Sequence, residues 1–264
     1  KYSLIQPSLS ADITSKALSI VGVSGVDKVY DGMTGASVSG SASLSGVVGD
    51  DDVSLDGSAV FSFASANVGT GVTVNAIGYT ISGSDSANYT LTQPTVSVDI
   101  TPAALTVTVD SGQSKVYGAT DPTLTYDISG FVNGDDEAGL DSAVSIARAA
   151  GEAVGGYTVT PSGAADGNYT ISFVTSEFSI APAALTVTAD AGQSKVYGAT
   201  DPTLAFSMTG FVNGDTAASL GSAVSIARAA GEAVGGYTIT PSGAADSNYT
   251  ISFVTSEFSI APAA

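Results

Sequence analysis

Apolar and polar residues alternate one for one through most of this chain. Leu105, Val107 and Val109 share one face of such a run, with Thr106 and Thr108 on the other. Leu124, Tyr126 and Ile128 repeat the pattern, as do Val144 with Ile146 and Tyr157 with Val159. A period of two marks a strand with one buried face. Thr, Val, Tyr and Ile fill these runs, and Gly, Asp, Asn and Pro separate them, which is strand-and-turn chemistry. The helical expectation is one short turn after each Gly-Phe-Val-Asn-Gly, over residues 135–140 and 215–220, with Asp135 as its N-cap.

The pattern slips near the end of each unit. Tyr169, Ile171 and Phe173 hold odd positions, whereas Phe178 and Ile180 hold even ones. The slip recurs from Tyr249, Ile251 and Phe253 to Phe258 and Ile260, and from Tyr89 and Leu91 to Val96, Val98 and Ile100. A one-residue slip turns an apolar face to solvent. A bulge or strand break is therefore expected between Val174 and Glu177, and at Pro94, where the strand changes partners.

Recurrence of the slip reflects a repeat. Residues 103–182 and 183–262 align without a gap and differ at 13 of 80 positions. Both carry Lys-Val-Tyr-Gly (from Lys115 and Lys195), Gly-Phe-Val-Asn-Gly-Asp (from Gly130 and Gly210) and Asn-Tyr-Thr-Ile (from Asn168 and Asn248). A diverged copy precedes them, with Lys28-Val-Tyr-Asp-Gly32 and Asn88-Tyr-Thr-Leu91. Tyr2-Ser-Leu-Ile-Gln-Pro7 matches Tyr89-Thr-Leu-Thr-Gln-Pro94, so residues 1–16 read as the last strand of a preceding repeat. The expected order is that strand, then repeats over 17–102, 103–182 and 183–262, the chain being a window on a longer array that closes on Ala-Pro-Ala-Ala. The joints Ile100-Thr-Pro-Ala-Ala-Leu105 and Ile180-Ala-Pro-Ala-Ala-Leu185 leave no flexible spacer, since Pro restricts both itself and its neighbour. The expected architecture is predominantly β: a tandem array of small domains joined end to end as an elongated, monomeric rod. Each is an Ig-like Greek-key sandwich or a β-grasp-like unit with one short helical turn.

Composition narrows the function classes. Seven Lys+Arg against 25 Asp+Glu give a net charge of −18, which argues against nucleic acid and anionic membrane surfaces. No run approaches the 18 apolar residues of a membrane span. Cys and His are both absent, removing disulfides, the thiol nucleophile and the usual neutral-pH base. No Ser stands three residues before a Lys. No catalytic residue is assigned, and the chain is read as a non-enzyme.

The Lys28-Val-Tyr-Asp-Gly32 repeat resembles the YDG domain. The two Lys-Val-Tyr-Gly-Ala-Thr-Asp-Pro-Thr-Leu repeats, from Lys115 and Lys195, resemble the MBG domain of YGX type. The resemblance covers essentially the whole chain. It implies a stalk in a large secreted bacterial surface protein, such as a filamentous-haemagglutinin-like exoprotein or biofilm adhesin, located outside the cell. It implies no catalytic residues. Under that reading the repeats space a binding tip. The alternative makes the repeats themselves weak, multivalent binders of extracellular polysaccharide or matrix. No ligand-binding residue is assigned.

Three residue sets invite a sharper chemistry. Asp50-Asp51-Asp52 and Asp135-Asp136-Glu137 are hard-oxygen clusters and the chain's candidate Ca²⁺ ligands. Adjacent acids point apart, however, and Thr216 and Ala217 replace Asp136 and Glu137 in the last repeat, so solvated loop acids are the competing reading. Lys28, Lys115 and Lys195 recur, as do Arg148 and Arg228, which points to ion pairs within each repeat. Lys115, Asn168 and Glu152 have the chain order of an intramolecular isopeptide bond, although the first repeat has no Glu. The Asn-Tyr-Thr motifs at 88, 168 and 248 read as turns with φ > 0 before a buried Tyr rather than as glycosylation sites. Tyr30, Tyr117 and Tyr197 read as packing residues rather than sugar-stacking ones.

Overall fold

The structure, a computed structural model, describes residues 1–263. Ala264, the last residue of the expected Ala-Pro-Ala-Ala entry, lies outside the described residues. In the first repeat the strands are β1 (Lys16–Gly25), β2 (Lys28–Val29), β3 (Val38–Ser45), β4 (Ser54–Asp56) and β5 (Val60–Phe63). They continue as β6 (Gly69–Ile77), β7 (Thr80–Ser82), β8 (Tyr89–Thr92) and β9 (Thr95–Thr101). The second repeat has β10 (Ala103–Val109), β11 (Ser114–Val116), β12 (Tyr126–Ser129), β13 (Ser145–Arg148), β14 (Gly155–Ser162), β15 (Tyr169–Val174) and β16 (Ser176–Ala181). The third has β17 (Ala183–Ala189), β18 (Ser194–Val196), β19 (Phe206–Thr209), β20 (Ser225–Arg228), β21 (Gly235–Ser242), β22 (Tyr249–Val254) and β23 (Ser256–Ala261). Helical structure among the described residues is limited to 3₁₀ turns at Ser86–Asn88, Glu137–Gly139 and Ala217–Ser219.

The second and third repeats divide their strands between two sheets, and the first adds a two-stranded pair, β4-β7. The first sheet is three-stranded, in the orders β3-β1-β8, β12-β10-β15 and β19-β17-β22. The second is four-stranded, in the orders β2-β9-β6-β5, β11-β16-β14-β13 and β18-β23-β21-β20. The first strand pairs in parallel with the strand that begins at the Asn-Tyr-Thr motif, as in Ala183↔Tyr249 through Thr188↔Val254. The β-rich architecture is as expected, and the first sheets of the first and third repeats combine parallel with antiparallel pairing.

The register slip is resolved by a break. β15 ends at Val174 in a first sheet, Thr175 is unpaired, and β16 begins at Ser176 in a second sheet. In the first repeat Gln93 and Pro94 divide β8 from β9. Residues 1–15 form no strand, and all are exposed. This differs from the expected last strand for a physical reason: β9 is held between β2 and β6 of its own repeat, and residues 1–15 have no such partners in this chain.

The compact units run out of phase with the sequence repeats. One comprises Lys1–Thr106, Ile128–Ala143 and Gly163–Ser172; the other comprises Val107–Asp127, Val144–Ser162 and the chain from Phe173 on. In the first unit, Tyr30, Phe63, Val74, Val98 and Ile100 of the first repeat share one core with Ala103, Leu105 and Tyr169 of the second. In the second unit, Val109, Tyr117, Val159, Phe178 and Ile180 share a core with Ala183, Leu185 and Tyr249 of the third repeat. A four-stranded sheet is thus covered by the first sheet of the repeat that follows. The Pro-Ala-Ala joint lies inside this arrangement, Ile180 and Ala183 belonging to the same core.

Because Leu185 is fully buried against the preceding repeat, a chain ending at Pro182 should lose protection there. Amide exchange in Ser114–Val116 and Gly155–Ser162 is expected to accelerate relative to the full chain. Unchanged exchange would mean that each sequence repeat folds by itself. In the full chain, Leu185→Ala is expected to cost about 2–5 kcal/mol by chemical denaturation.

Candidate functional site

The recurring motifs converge where one repeat covers the next. In the first unit the Tyr30 hydroxyl donates to Asp135 Oδ2 at 3.1 Å, and the Tyr169 hydroxyl donates to the same oxygen at 2.7 Å. The two rings meet edge to face at 5.5 Å and 78°, and Phe131 adds a second edge to Tyr169 at 5.7 Å, the geometry that aromatic quadrupoles favour. The backbone N–H of Val132 donates to the Tyr169 oxygen at 3.2 Å, and Asn168 Oδ1 accepts the N–H of Val68 at 3.0 Å. Here the Asp of Gly-Asp, the Tyr of Lys-Val-Tyr and the Asn-Tyr of Asn-Tyr-Thr form one lock.

The second unit repeats it. Tyr117 and Tyr249 donate to Asp215 Oδ2 at 2.9 and 2.8 Å, with their rings 5.5 Å apart at 82°. Asn248 Oδ1 accepts the N–H of Val154 at 2.9 Å, and Asn213 Nδ2 donates to the Tyr117 hydroxyl at 3.3 Å. Gly118, at φ +80, lets the loop close: a Cβ there would stand 2.4 Å from Val212 Cγ2. In the first unit the lock borders a cavity of about 320 Å³, lined by Tyr30, Phe131, Asp135, Asp136, Asp166 and Tyr169 among others.

Several expectations change here. Asp135 is not the N-cap; Asp136 is, accepting from the Ala138 N–H at 3.0 Å, while Asp135 is committed to the two tyrosines. In the last repeat Thr216 and Ser219 cap the turn reciprocally. The replacement of Asp136 by Thr216 therefore travels with that of Gly139 by Ser219. Positive φ among the described non-glycine residues falls on Asn133 and Asn213, not on the Asn of Asn-Tyr-Thr. Asn168 and Asn248 are instead acceptors for the preceding repeat. Tyr30 and Tyr117 are core residues, but Tyr197 is exposed.

Four of the candidate calcium ligands are similarly occupied. Asp51 accepts from the Tyr89 hydroxyl, Asp52 from the backbone and hydroxyl of Ser84, and Asp135 and Asp136 as above. No group of three or more acids that could hold a metal occurs among the described residues. Asp50, Asp51 and Asp52 do not converge, nor do Asp135, Asp136 and Glu137.

The recurring bases form a second polar cluster. Lys115 Nζ pairs with Asp121 at 2.7 Å and with Glu152. Arg148 grips Asp121 through Nε and Nη2 and bonds Glu152, a fork geometry that Lys cannot supply. Its guanidinium also lies over the rings of Tyr157 and Phe178, at 5.2 and 5.4 Å, adding cation–π attraction. Lys195, Asp201, Arg228 and Glu232 reproduce the ring beside a cavity of about 580 Å³. In the first repeat, Lys28 pairs with Asp31 at 2.7 Å and donates to the Met33 and Gly35 carbonyls. The expected ion pairs thus form. The residues of the isopeptide arrangement are otherwise engaged: Lys115 is held by Asp121 and Glu152, and Asn168 Oδ1 accepts the N–H of Val68.

Arg148 first and Lys115 second hold Asp121 at about 2 against a usual 3.8, and Arg228 and Lys195 do the same to Asp201. Burial first, then the bond to Asp135, pushes Tyr169 from 10.0 up to about 12. These side chains brace the fold; none is placed as a nucleophile beside a base.

Family comparison agrees with this construction. The family model of the MBG domain (YGX type) matches residues 105–179 and 185–259, and that of the YDG domain matches residues 14–96. The chain belongs to the MBG family of YGX type, with a YDG domain ahead of its two MBG repeats. No curated protein matches it. Similar solved structures include the three N-terminal domains of the bacteriophage RB49 Highly Immunogenic Outer Capsid protein. That pair is 11% identical over 94% of this chain and 99% of that one, with a TM-score of 0.25. A tandem from titin is 9% identical over 93% and 100%, with a TM-score of 0.24. Domains 4–9 of the surface layer protein SbsC are 14% identical over 93% of this chain and 50% of theirs, with a TM-score of 0.23. This chain therefore spans half the length of that last structure.

Asp135→Ala would leave two buried hydroxyls without their acceptor, at an expected cost of about 1–3 kcal/mol in chemical denaturation. A loss near zero would mean that the lock is incidental. The pH dependence has a defined sign at each end. Carboxylates held below their ordinary range stabilise fully above about pH 4, and that contribution fades as pH falls toward about 2. Tyr169, held above its ordinary value, contributes fully below about pH 10 and loses this as pH rises toward about 12. Lys115→Met combined with Lys195→Met should flatten the acid limb. It should also remove the lysines' own share of the alkaline one, since Asp121 with Glu152 and Asp201 with Glu232 hold the two ammonium groups above their ordinary value. The Tyr169 share should stay.

Proposed function

We propose that this chain is a structural segment of an extracellular bacterial stalk, spacing or projecting a binding part of a surface adhesin. The observation that carries the reading is the shared core. Every second sheet that a following repeat covers is closed by that repeat's first sheet and fastened by an Asp between two Tyr. Successive repeats are joined through packed residues instead of a flexible spacer.

Strand order supports a load-bearing role. In the third repeat the chain enters along β17, which pairs in parallel with β22 over six residues, and leaves along β23, which pairs in parallel with β18 over three. Tension along the chain pulls such strands in opposite directions, so their hydrogen bonds are loaded together in shear. The lock residues serve as acceptors and donors for one another, consistent with a non-catalytic protein. Among the described residues no helix is long and apolar enough to cross a membrane. MBG and YDG repeats are typical of surface or secreted proteins, which supports the extracellular assignment.

A second reading rests on the 320 Å³ cavity, whose tyrosines and carboxylates could hold a sugar. In that case the repeats would be weak multivalent binders of extracellular polysaccharide, retained by avidity. Polysaccharide affinity chromatography separates the two. The stalk reading predicts no retention of the chain, whereas retention that rises with repeat number would replace it with the binding reading.

A further inference from the structure

The loop that carries each lock carboxylate also carries an Asn-Gly pair. Asn133 and Gly134 both have positive φ, at 54° and 83°, and the Asp135 N–H closes the turn on the Val132 carbonyl at 2.9 Å. Asn213 and Gly214 repeat it at 57° and 78°, closed by Asp215 on Val212 at 3.0 Å. Two positive φ values in succession make a type I′ turn, which Asn-Gly favours.

These turns leave the reactive groups of an Asn-Gly pair accessible. Asn133 and Asn213 are exposed, as are the glycines that follow them. Among the described residues nothing accepts the N–H of Gly134 or Gly214. A Cβ on either glycine would meet nothing within 4 Å, so neighbouring atoms do not shield that nitrogen. The other asparagines, at 67, 75, 88, 168 and 248, precede Val, Ala or Tyr, whose side chains crowd the following nitrogen.

We propose that Asn133 and Asn213 are sites of spontaneous deamidation, and that the reaction loosens the repeat boundary each one serves. The glycine nitrogen gives its proton to hydroxide and attacks Asn Cγ. The new C–N bond closes a succinimide ring as the bond to Nδ2 breaks, and Nδ2 leaves as ammonia. Water then opens the ring at either carbonyl, giving Asp or isoaspartate. In the second unit Asn213 Nδ2 donates to the Tyr117 hydroxyl at 3.3 Å, and that hydroxyl donates to Asp215. A carboxylate at 213 cannot donate. It would compete with Asp215 for one proton, and the two like charges repel. In the first unit Asn133 Nδ2 donates to the Gly32 carbonyl at 3.3 Å, so the product sets two acceptors against each other. This inference stands apart from the stalk reading, since it concerns only the chemistry of the boundary loops.

The test incubates the full chain in warm, mildly alkaline buffer, folded and in urea, and maps its peptides by mass. The expected result in the folded chain is a gain of one mass unit, partly as isoaspartate, at Asn133 and Asn213 ahead of every other asparagine. A gain at neither while the unfolded chain gains it, or equal gain at all asparagines, would overturn the assignment. The effect on the boundary is read on Asn213→Asp, which installs one product directly. Amide exchange in Ser114–Val116 should then accelerate by about 5–30-fold over the parent chain. Asn75→Asp, at an exposed position of β6, should leave that exchange unchanged. Exchange unaltered by Asn213→Asp, or accelerated equally by both substitutions, would overturn the loosening.

Discussion

One carboxylate between two tyrosine hydroxyls sets the plan of this molecule. Asp135 joins Tyr30 to Tyr169, and Asp215 joins Tyr117 to Tyr249. In each case one tyrosine directly follows an edge strand of the second sheet of one repeat, and the other comes from the first sheet of the next. The constraint beneath is apolar area. A repeat of about 80 residues that splits its strands between small separate sheets leaves each with a face it cannot bury unaided. Pairing the sheets across the repeat boundary closes that face, and the lock satisfies the polar groups that closure would otherwise strand. Recurrence of Lys-Val-Tyr, Gly-Asp and Asn-Tyr-Thr then has a single cause, because all three motifs meet at the same joint.

The bases follow a different logic. Lys115 and Arg148 recur as Lys195 and Arg228 because each pair holds the same two acids, in the second sheet and the loop beside it. With the guanidinium spread over two aromatic rings, the ring of charges also packs the edge of the apolar core. Acids outside these networks are free to vary between repeats. Asp136, whose task is to cap one turn, gives way to a Thr–Ser pair that does the same.

Strand periodicity, the partner change at Thr175 and the ion pairs of the recurring bases were legible in the sequence, because each depends on neighbours close along the chain or on charge scarcity. The YDG and MBG motifs were legible for a related reason: residues confined to one joint vary little between copies. The phase of the domains was not legible. Alternation shows that Leu105 and Leu185 are buried, but not whether they face their own repeat or the one before. The role of Asp135 was hidden in the same way. A carboxylate near a turn reads as a cap, and only long-range geometry shows its oxygen taken by Tyr30, 105 residues away. Asn168 was misread likewise, since its acceptor function depends on Val68 of the preceding repeat.

The account stands on coupling between sequence repeats, which a double-mutant cycle measures directly. Tyr117→Phe and Asp215→Ala, made singly and together in the full chain, remove the bond between the second and third repeats from either side. Chemical denaturation of the four proteins should give a coupling of about 0.5–3 kcal/mol, as for residues in one hydrogen-bonded network. Losses that simply add would contradict the shared core and return each repeat to independence.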